Sequence, residues 1–218
     1  MRPPCILTPV TSIWKLIGLA AIAGIPLRAQ TIDPPSRYDG KWWLAVSQIR
    51  RVGFIDGYAD CSVADAKNKK LGNVSPSTFE PKVTKYFTSA PSNFKIPASK
   101  ALQSLALEEP VAKYDPFAEH YPDKHGYYDG DYWRMMEPDH RLGLVEGLLA
   151  CYVPLDPTRW RYSKPPRLYV GEISAWYGVK ENDPAEINEQ RYRSKIADVL
   201  YRFRDNSGPG SKKTHTGK

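Results

Sequence analysis

The residues with the clearest chemical potential are two cysteines, each closing a stripe of small residues. Gly53, Gly57 and Cys61 are spaced by four, and so are Gly143, Gly147 and Cys151. Small residues at that spacing line one face of a helix and let another backbone approach closely. The glycines are read as helix-packing positions, because each costs about 1 kcal/mol relative to Ala inside a helix. The two cysteines then lie at equivalent ends of two such faces. In an oxidising compartment they form a disulfide; otherwise they pack as separate small apolar side chains.

Other combinations carry less. Glu119, His120, Asp123 and His125, followed by Asp129 and Asp131, form a His/Asp/Glu cluster. Its histidines are five apart in a Pro-bearing stretch, which matches no standard zinc spacing. A solvated loop is the favoured reading, and a metal-assisted hydrolase using residues 119–131 is kept as the alternative. Asp56 and Asp60, four apart, read as a solvated helix face. No GxSxG or HExxH occurs, and the SxxK at Ser92–Lys95 falls between expected helices. No catalytic residue, cofactor site or metal ligand is therefore assigned. Most of the aromatics are read as core, with an aromatic-lined groove as the alternative.

The elements that position these residues follow from an internal repeat. Residues 38–63 (YDGKWWLAVSQIRRVGFIDGYADCSV) and 128–153 (YDGDYWRMMEPDHRLGLVEGLLACYV) are identical at nine of 26 positions without a gap. The offset of ninety continues to Phe79/Tyr169 and Val83–Phe87 against Ile173–Tyr177, then slips by about five residues. Each YDG triplet reads as a turn, its Gly free to take positive φ. A helix starts near Ser47 and near Glu137, where Pro138 suits the first helical position, and runs to the cysteine. Its apolar positions cover most of the circumference, as in a core helix. A second helix is predicted at 80–88 and 170–178, and a third at 97–109 and 184–204. The last carries Asp183 as N-cap and Pro184 at the first position. No segment alternates with period two, so the expected class is all-α: a tandem duplication of a three-helix unit with pseudo-twofold symmetry. The two first helices cross at the glycine faces and bring Cys61 to Cys151. Arg51 and Arg141 are expected to reach Glu146 and Asp56 of the opposite copy.

The expected organisation is a signal peptide at 1–29, repeats at 30–107 and 128–205, a linker at 108–127 and a disordered basic tail at 206–218. Arg2 and Lys15 precede an apolar run, Leu16–Leu27, and Leu27-Arg28-Ala29 resembles a cleavage site. That run of twelve residues is too short to span a bilayer. Cleavage removes three basic residues and lowers the formal net charge from +7 to +4, too dilute to indicate nucleic acid. The location implied is periplasmic or extracellular.

The order G-x-x-W, then R-x-G-[FL]-[IV]-x-G, then an aromatic pair, a Pro-bearing loop and an amphipathic helix resembles small exported bacterial helical domains of unknown function. It is similar to the immunity proteins that neutralise type VI secretion peptidoglycan amidases, here in two copies over about 38–107 and 128–204. The resemblance implies a non-enzymatic exported binding protein, an inhibitor or immunity-type partner of a cell-envelope hydrolase. No functional residue is carried over, and the oligomeric state is left open. The tail, Asn206–Lys218, has no apolar residue to dock. A chain ending at Asp205 is thus expected to unfold at the same temperature as the full chain; thermal denaturation of both forms checks this, and a drop of several degrees would refute it.

Overall fold

The structure, a computed structural model, describes residues 38–64, 71, 74–108, 128–178 and 184–205. Among these it is helical, with one isolated bridge between Asp39 and Pro97 and no strand. The expected signal peptide (1–29), the greater part of the linker and the tail lie outside the described residues. The helices in chain order are α1 (Gly40–Ala45), α2 (Gln48–Ala64), α3 (Pro76–Ser89), α4 (Ala98–Glu108), α5 (Gly130–Met135), α6 (Pro138–Leu155), α7 (Pro166–Tyr177), α8 (Ala185–Tyr192) and α9 (Ile196–Arg202). A short 3-10 helix, Pro91–Lys95, stands between α3 and α4.

The two YDG triplets do not make free turns. Asp39 and Asp129 are N-caps, their carboxylates accepting hydrogen bonds from the Trp42 and Tyr132 amides, and Gly40 and Gly130 begin helices. These glycines are needed for close approach rather than for positive φ. A Cβ on Gly40 would strike the Phe87 ring and the backbone at Phe94, and one on Gly130 would strike Tyr177 and the backbone at Tyr192. Proline sets the start of three longer helices, at Pro76, Pro138 and Pro166, where the missing N–H has no intrahelical acceptor in any case. α3 and α7 consequently start about one turn earlier than expected.

The third helix of the second half departs from expectation. It is two helices, α8 and α9, separated at Arg193–Lys195, and Pro184 is the N-cap of α8 rather than its first residue; Asp183 lies outside the described residues. The break has a physical cause. The Ser194 carbonyl accepts the Tyr177 hydroxyl, and the Ile196 amide donates to the Tyr128 carbonyl at 2.7 Å. Both groups are thus taken from the helical ladder. In the first half the Ala98 amide donates to the Tyr38 carbonyl at 2.6 Å. Ala98 and Ile196 are therefore equivalent in hydrogen bonding, a larger slip than the sequence alignment assigns.

α2 and α6 form the largest packing contact and the centre of the core. α6 is buried without interruption from Leu142 to Cys151. The contact is backbone against backbone. A Cβ on Gly53 would collide with the His140 carbonyl oxygen, on Gly57 with that of Leu144, on Gly143 with that of Arg50 and on Gly147 with that of Phe54. At the end of the crossing Cys61 and Cys151 form a disulfide with Cα atoms 6.1 Å apart, 90 residues apart in sequence. Closing a loop of that size contributes about 4–5 kcal/mol in the chain-entropy treatment. Aromatic rings fill both sides: Trp43 donates its indole N–H to Thr84 at 2.8 Å, and Trp133 donates to Ser174 at 3.1 Å.

Gly57→Ala is expected to destabilise the protein by about 3 kcal/mol or more, since two backbones must separate to admit the methyl group. Gly171→Ala, in α7 with nothing within 4 Å of the added Cβ, should instead be neutral or stabilising by up to about 1 kcal/mol. Urea unfolding of the two variants tests the contrast, and equal midpoints would overturn the close-contact account.

Candidate functional site

Two charged pairs brace the crossing, and they differ from the expected ones. Arg50, not Arg51, reaches Glu146, its Nε donating to Oε2 at 2.8 Å. His140, not Arg141, reaches Asp56, with Nε2 and Oδ2 2.5 Å apart. The reason is helical direction: residues 50 and 140 lie on the glycine face with 53, 57 and 143, 147, whereas 51 and 141 point back toward their own halves. Arg51 donates to buried Glu80 at 2.6 Å and to the carbonyls of Trp43 and Val46. Thr84 closes this first-half network by donating to Glu80 at 2.6 Å. In the second half Val170 stands where Glu80 would align. Arg141 donates to the Trp133 and Arg134 carbonyls instead, and burial lowers its pKa.

Asp56 and Asp60, expected on a solvated face, are withdrawn from water. Asp56 is 3% exposed and accepts from Tyr128 at 3.0 Å and Tyr132 at 3.3 Å besides facing His140. Carboxylates that deep require such partners. Tyr128 adopts φ 50°, a left-handed conformation uncommon for an aromatic residue, and its hydroxyl sits on Asp56. Burial pushes the Tyr128 hydroxyl well above its ordinary pKa, with the Asp56 carboxylate adding to the effect. Asp60 is half-buried, and its carboxyl is pushed up to about 7. Burial is the main cause; Asp56 and Asp198 raise it further and Lys195 opposes them.

His140 opens onto a cleft of about 310 Å³ between the start of α2 and the α5–α6 elbow. Ile49, Val52, Met135 and Met136 supply its apolar surface, Tyr132 an aromatic edge, and Gln48, Glu137 and His140 its polar groups. Ile49 is 40% exposed and Met135 61%. At the offset of ninety, Met135, Met136, Glu137 and His140 align with Ala45, Val46, Ser47 and Arg50. The cleft is thus built from positions at which the two halves differ, while the capping Asp, the elbow Trp and the crossing glycines are shared.

The sequence-assigned positions separate clearly. Gly53, Gly57, Gly143, Gly147, Cys61 and Cys151 all meet at the crossing. Glu119, His120, Asp123 and His125 lie outside the described residues, Asp129 is spent as an N-cap and Asp131 belongs to the first turn of α5. No group of three or more His, Cys, Asp or Glu side chains is arranged to hold a metal ion among the described residues. Ser92 and Lys95 sit in the exposed 3-10 helix, which replaces the expected loop. His140 escaped sequence reasoning because it aligns with an arginine; a His facing the Asp of an opposed stripe was the available signal.

No family model, curated protein or solved structure matches this chain.

The Asp60 carboxyl gives a pH signature. Its folded pKa lies above that of an unfolded aspartate, about 3.9. The folded state therefore holds the extra proton between these values, and stability falls as pH rises from about 4 through about 7. Asp60→Asn should flatten that slope and stabilise the protein at pH 8 by on the order of 2 kcal/mol. Denaturant midpoints at several pH values measure it, and an unchanged slope in the variant would remove Asp60 as the cause.

Proposed function

We propose that the protein is an exported, non-enzymatic binding protein, an inhibitor or immunity-type partner of a cell-envelope hydrolase. It is built by duplication of a three-helix unit about a pseudo-twofold axis between α2 and α6. The cleft at the α5–α6 elbow is the partner contact, and this one observation carries the reading. It is shallow and open, with exposed Ile49 and Met135 beside the polar side chains of Gln48, Glu137 and His140, a mixture of apolar and polar surface that suits a protein interface. Methionines adapt to a partner's contour at little conformational cost. The disulfide supports export, since such bonds persist in oxidising compartments. The duplication is supported by matched hydrogen bonds in the halves: Asp39 and Asp129 at helix starts, Trp43 and Trp133 to hydroxyls, and Tyr38 and Tyr128 carbonyls to the final helices.

The His140–Asp56 pair could serve acid–base chemistry in isolation. Its counterpart, Arg50–Glu146, joins the same two helices with a guanidinium that does not exchange protons near neutrality. That equivalence favours bracing for both pairs.

The test is recovery of a peptidoglycan hydrolase from envelope extracts with the immobilised protein, followed by inhibition of the isolated enzyme. Ile49→Asp combined with Met135→Asp should weaken binding at least about tenfold, as expected for a central apolar contact, without changing the unfolding temperature. An inhibitor whose potency is unaffected by both changes would displace the cleft from this role. A protein that retains and inhibits no hydrolase would end the proposal.

A further inference from the structure

A different face of the second half has its own chemistry. The connection from α6 to α7 carries Arg159, Arg161 and Lys164, with Trp160 and Tyr162 interleaved, and the first turn of α7 adds Arg167. Its backbone is held to the segment just after α9 by the Asp205 amide, which donates to the Arg161 carbonyl at 2.8 Å. Tyr152 and Trp160 stack at 4.0 Å, and Tyr201 of α9 meets Trp160 edge-on at 4.9 Å. Two guanidiniums cover this aromatic group. Arg204 lies 3.7 Å above Tyr201, and Arg159 lies within 6 Å of both Trp160 and Tyr201. Arg202 stacks on Trp176 at 4.6 Å.

Arg159, Arg202 and Arg204 have no carboxylate at ion-pair distance among the described residues; Lys164 is paired with Glu172. Nearby Asp156 turns its Oδ1 to the Thr158 hydroxyl and to the amides of Thr158 and Arg159. Stacking holds a guanidinium plane in place while leaving edge N–H groups to bind an anion. The same connection is bounded by two large apolar residues left in water, Leu155 at 50% exposure and Leu168 at 54%. The aligned stretch of the first half, residues 65–78 (DAKNKKLGNVSPST), has no arginine and no aromatic residue. Nothing in the shared architecture therefore demands this composition.

We propose that the Leu155–Leu168 connection, with the adjoining end of α9, is a peripheral docking face for a bilayer rich in anionic lipid. The arginines meet headgroup phosphates, Trp160 and the tyrosines sit at the headgroup level, and Leu155 and Leu168 enter the upper acyl region. Each part matches a layer of the membrane surface. A soluble polyanion would leave the leucines uncovered. Single-stranded nucleic acid would need free ring faces, which the Tyr152–Trp160 stack and the overlying arginines occupy. The proposal is independent of the elbow cleft and of any hydrolase.

The test is co-sedimentation of the full chain with phosphatidylcholine vesicles, with and without phosphatidylglycerol, at low and high salt. Every form carries the same N-terminal apolar run and basic tail, so differences between variants isolate the face. The wild-type chain should prefer the anionic vesicles. Arg159→Gln combined with Arg204→Gln should weaken that binding about 30-fold at low salt, roughly fivefold per arginine. Leu155→Ser combined with Leu168→Ser should weaken it at both salt concentrations. If Arg204→Gln disturbs folding, seen as a lowered unfolding temperature, Arg159→Gln and the leucine pair still carry the test. Unchanged sedimentation in these variants, or equal binding to both vesicle types, would overturn the proposal. So would arginine-dependent binding to heparin or single-stranded DNA together with vesicle binding indifferent to the leucines.

Discussion

Everything in this fold depends on two helices approaching until carbonyl oxygens of one lie where side chains of the other would begin. Such an approach is allowed only where Cβ atoms are missing, and α2 and α6 each leave out two, one turn apart. The cost is intrinsic, because glycine loosens the unfolded chain and weakens an isolated helix. It is offset by contact along the crossing and by the covalent link at its end. Once the two helices are in place, little freedom remains for the rest. The capping aspartates start short helices whose tryptophans fall on either side of the crossing, and those rings fix where α3 and α7 lie.

Around this constraint the polar groups divide into two sets. One set faces across the crossing, Arg50 with Glu146 and His140 with Asp56, so each helix presents one basic and one acidic side chain to the other. The other set closes each half upon itself. The first half does this with a carboxylate, Glu80, that joins Arg51 and Thr84. In the second half Arg141 donates to backbone carbonyls instead. The two halves thus accommodate Arg51 and Arg141 with different chemistry. The elbow cleft opens beside His140.

The all-helical class and the Cys61–Cys151 pairing were legible in the sequence because both rest on spacing. A glycine every fourth residue inside an apolar run has few physical explanations, and a cysteine continuing the stripe extends the same face. The helix start at Pro138 was legible, whereas those at Pro76 and Pro166 were placed about one turn late although proline marks them too. What was not legible depended on neighbours absent from the local pattern. Ser194 interrupts a helix because a tyrosine from α7 and a carbonyl at Tyr128 claim its surroundings. Asp56 and Asp60 looked like surface residues because a spacing of four says nothing about what covers the face. Arg50 and Arg51 are adjacent in the chain, and only the direction of the glycine face tells them apart. The cleft was invisible for a related reason, since its residues lie where the two similar stretches of sequence disagree and likeness between them says nothing of such positions.

The matched stripes also have a topological meaning. Each half is the natural complement of the other, so two chains could satisfy the same contacts by exchanging halves, giving a swapped dimer with the same crossing twice over. Local and intermolecular pairing then compete through the effective concentration of one half about the other. At lower protein concentrations the chain pairs with itself. Once an external oxidant takes two electrons from the Cys61 and Cys151 thiols, the disulfide makes that pairing lasting, since the halves cannot part while the bond stands. The disulfide thus acts as a memory of which partner each half met first.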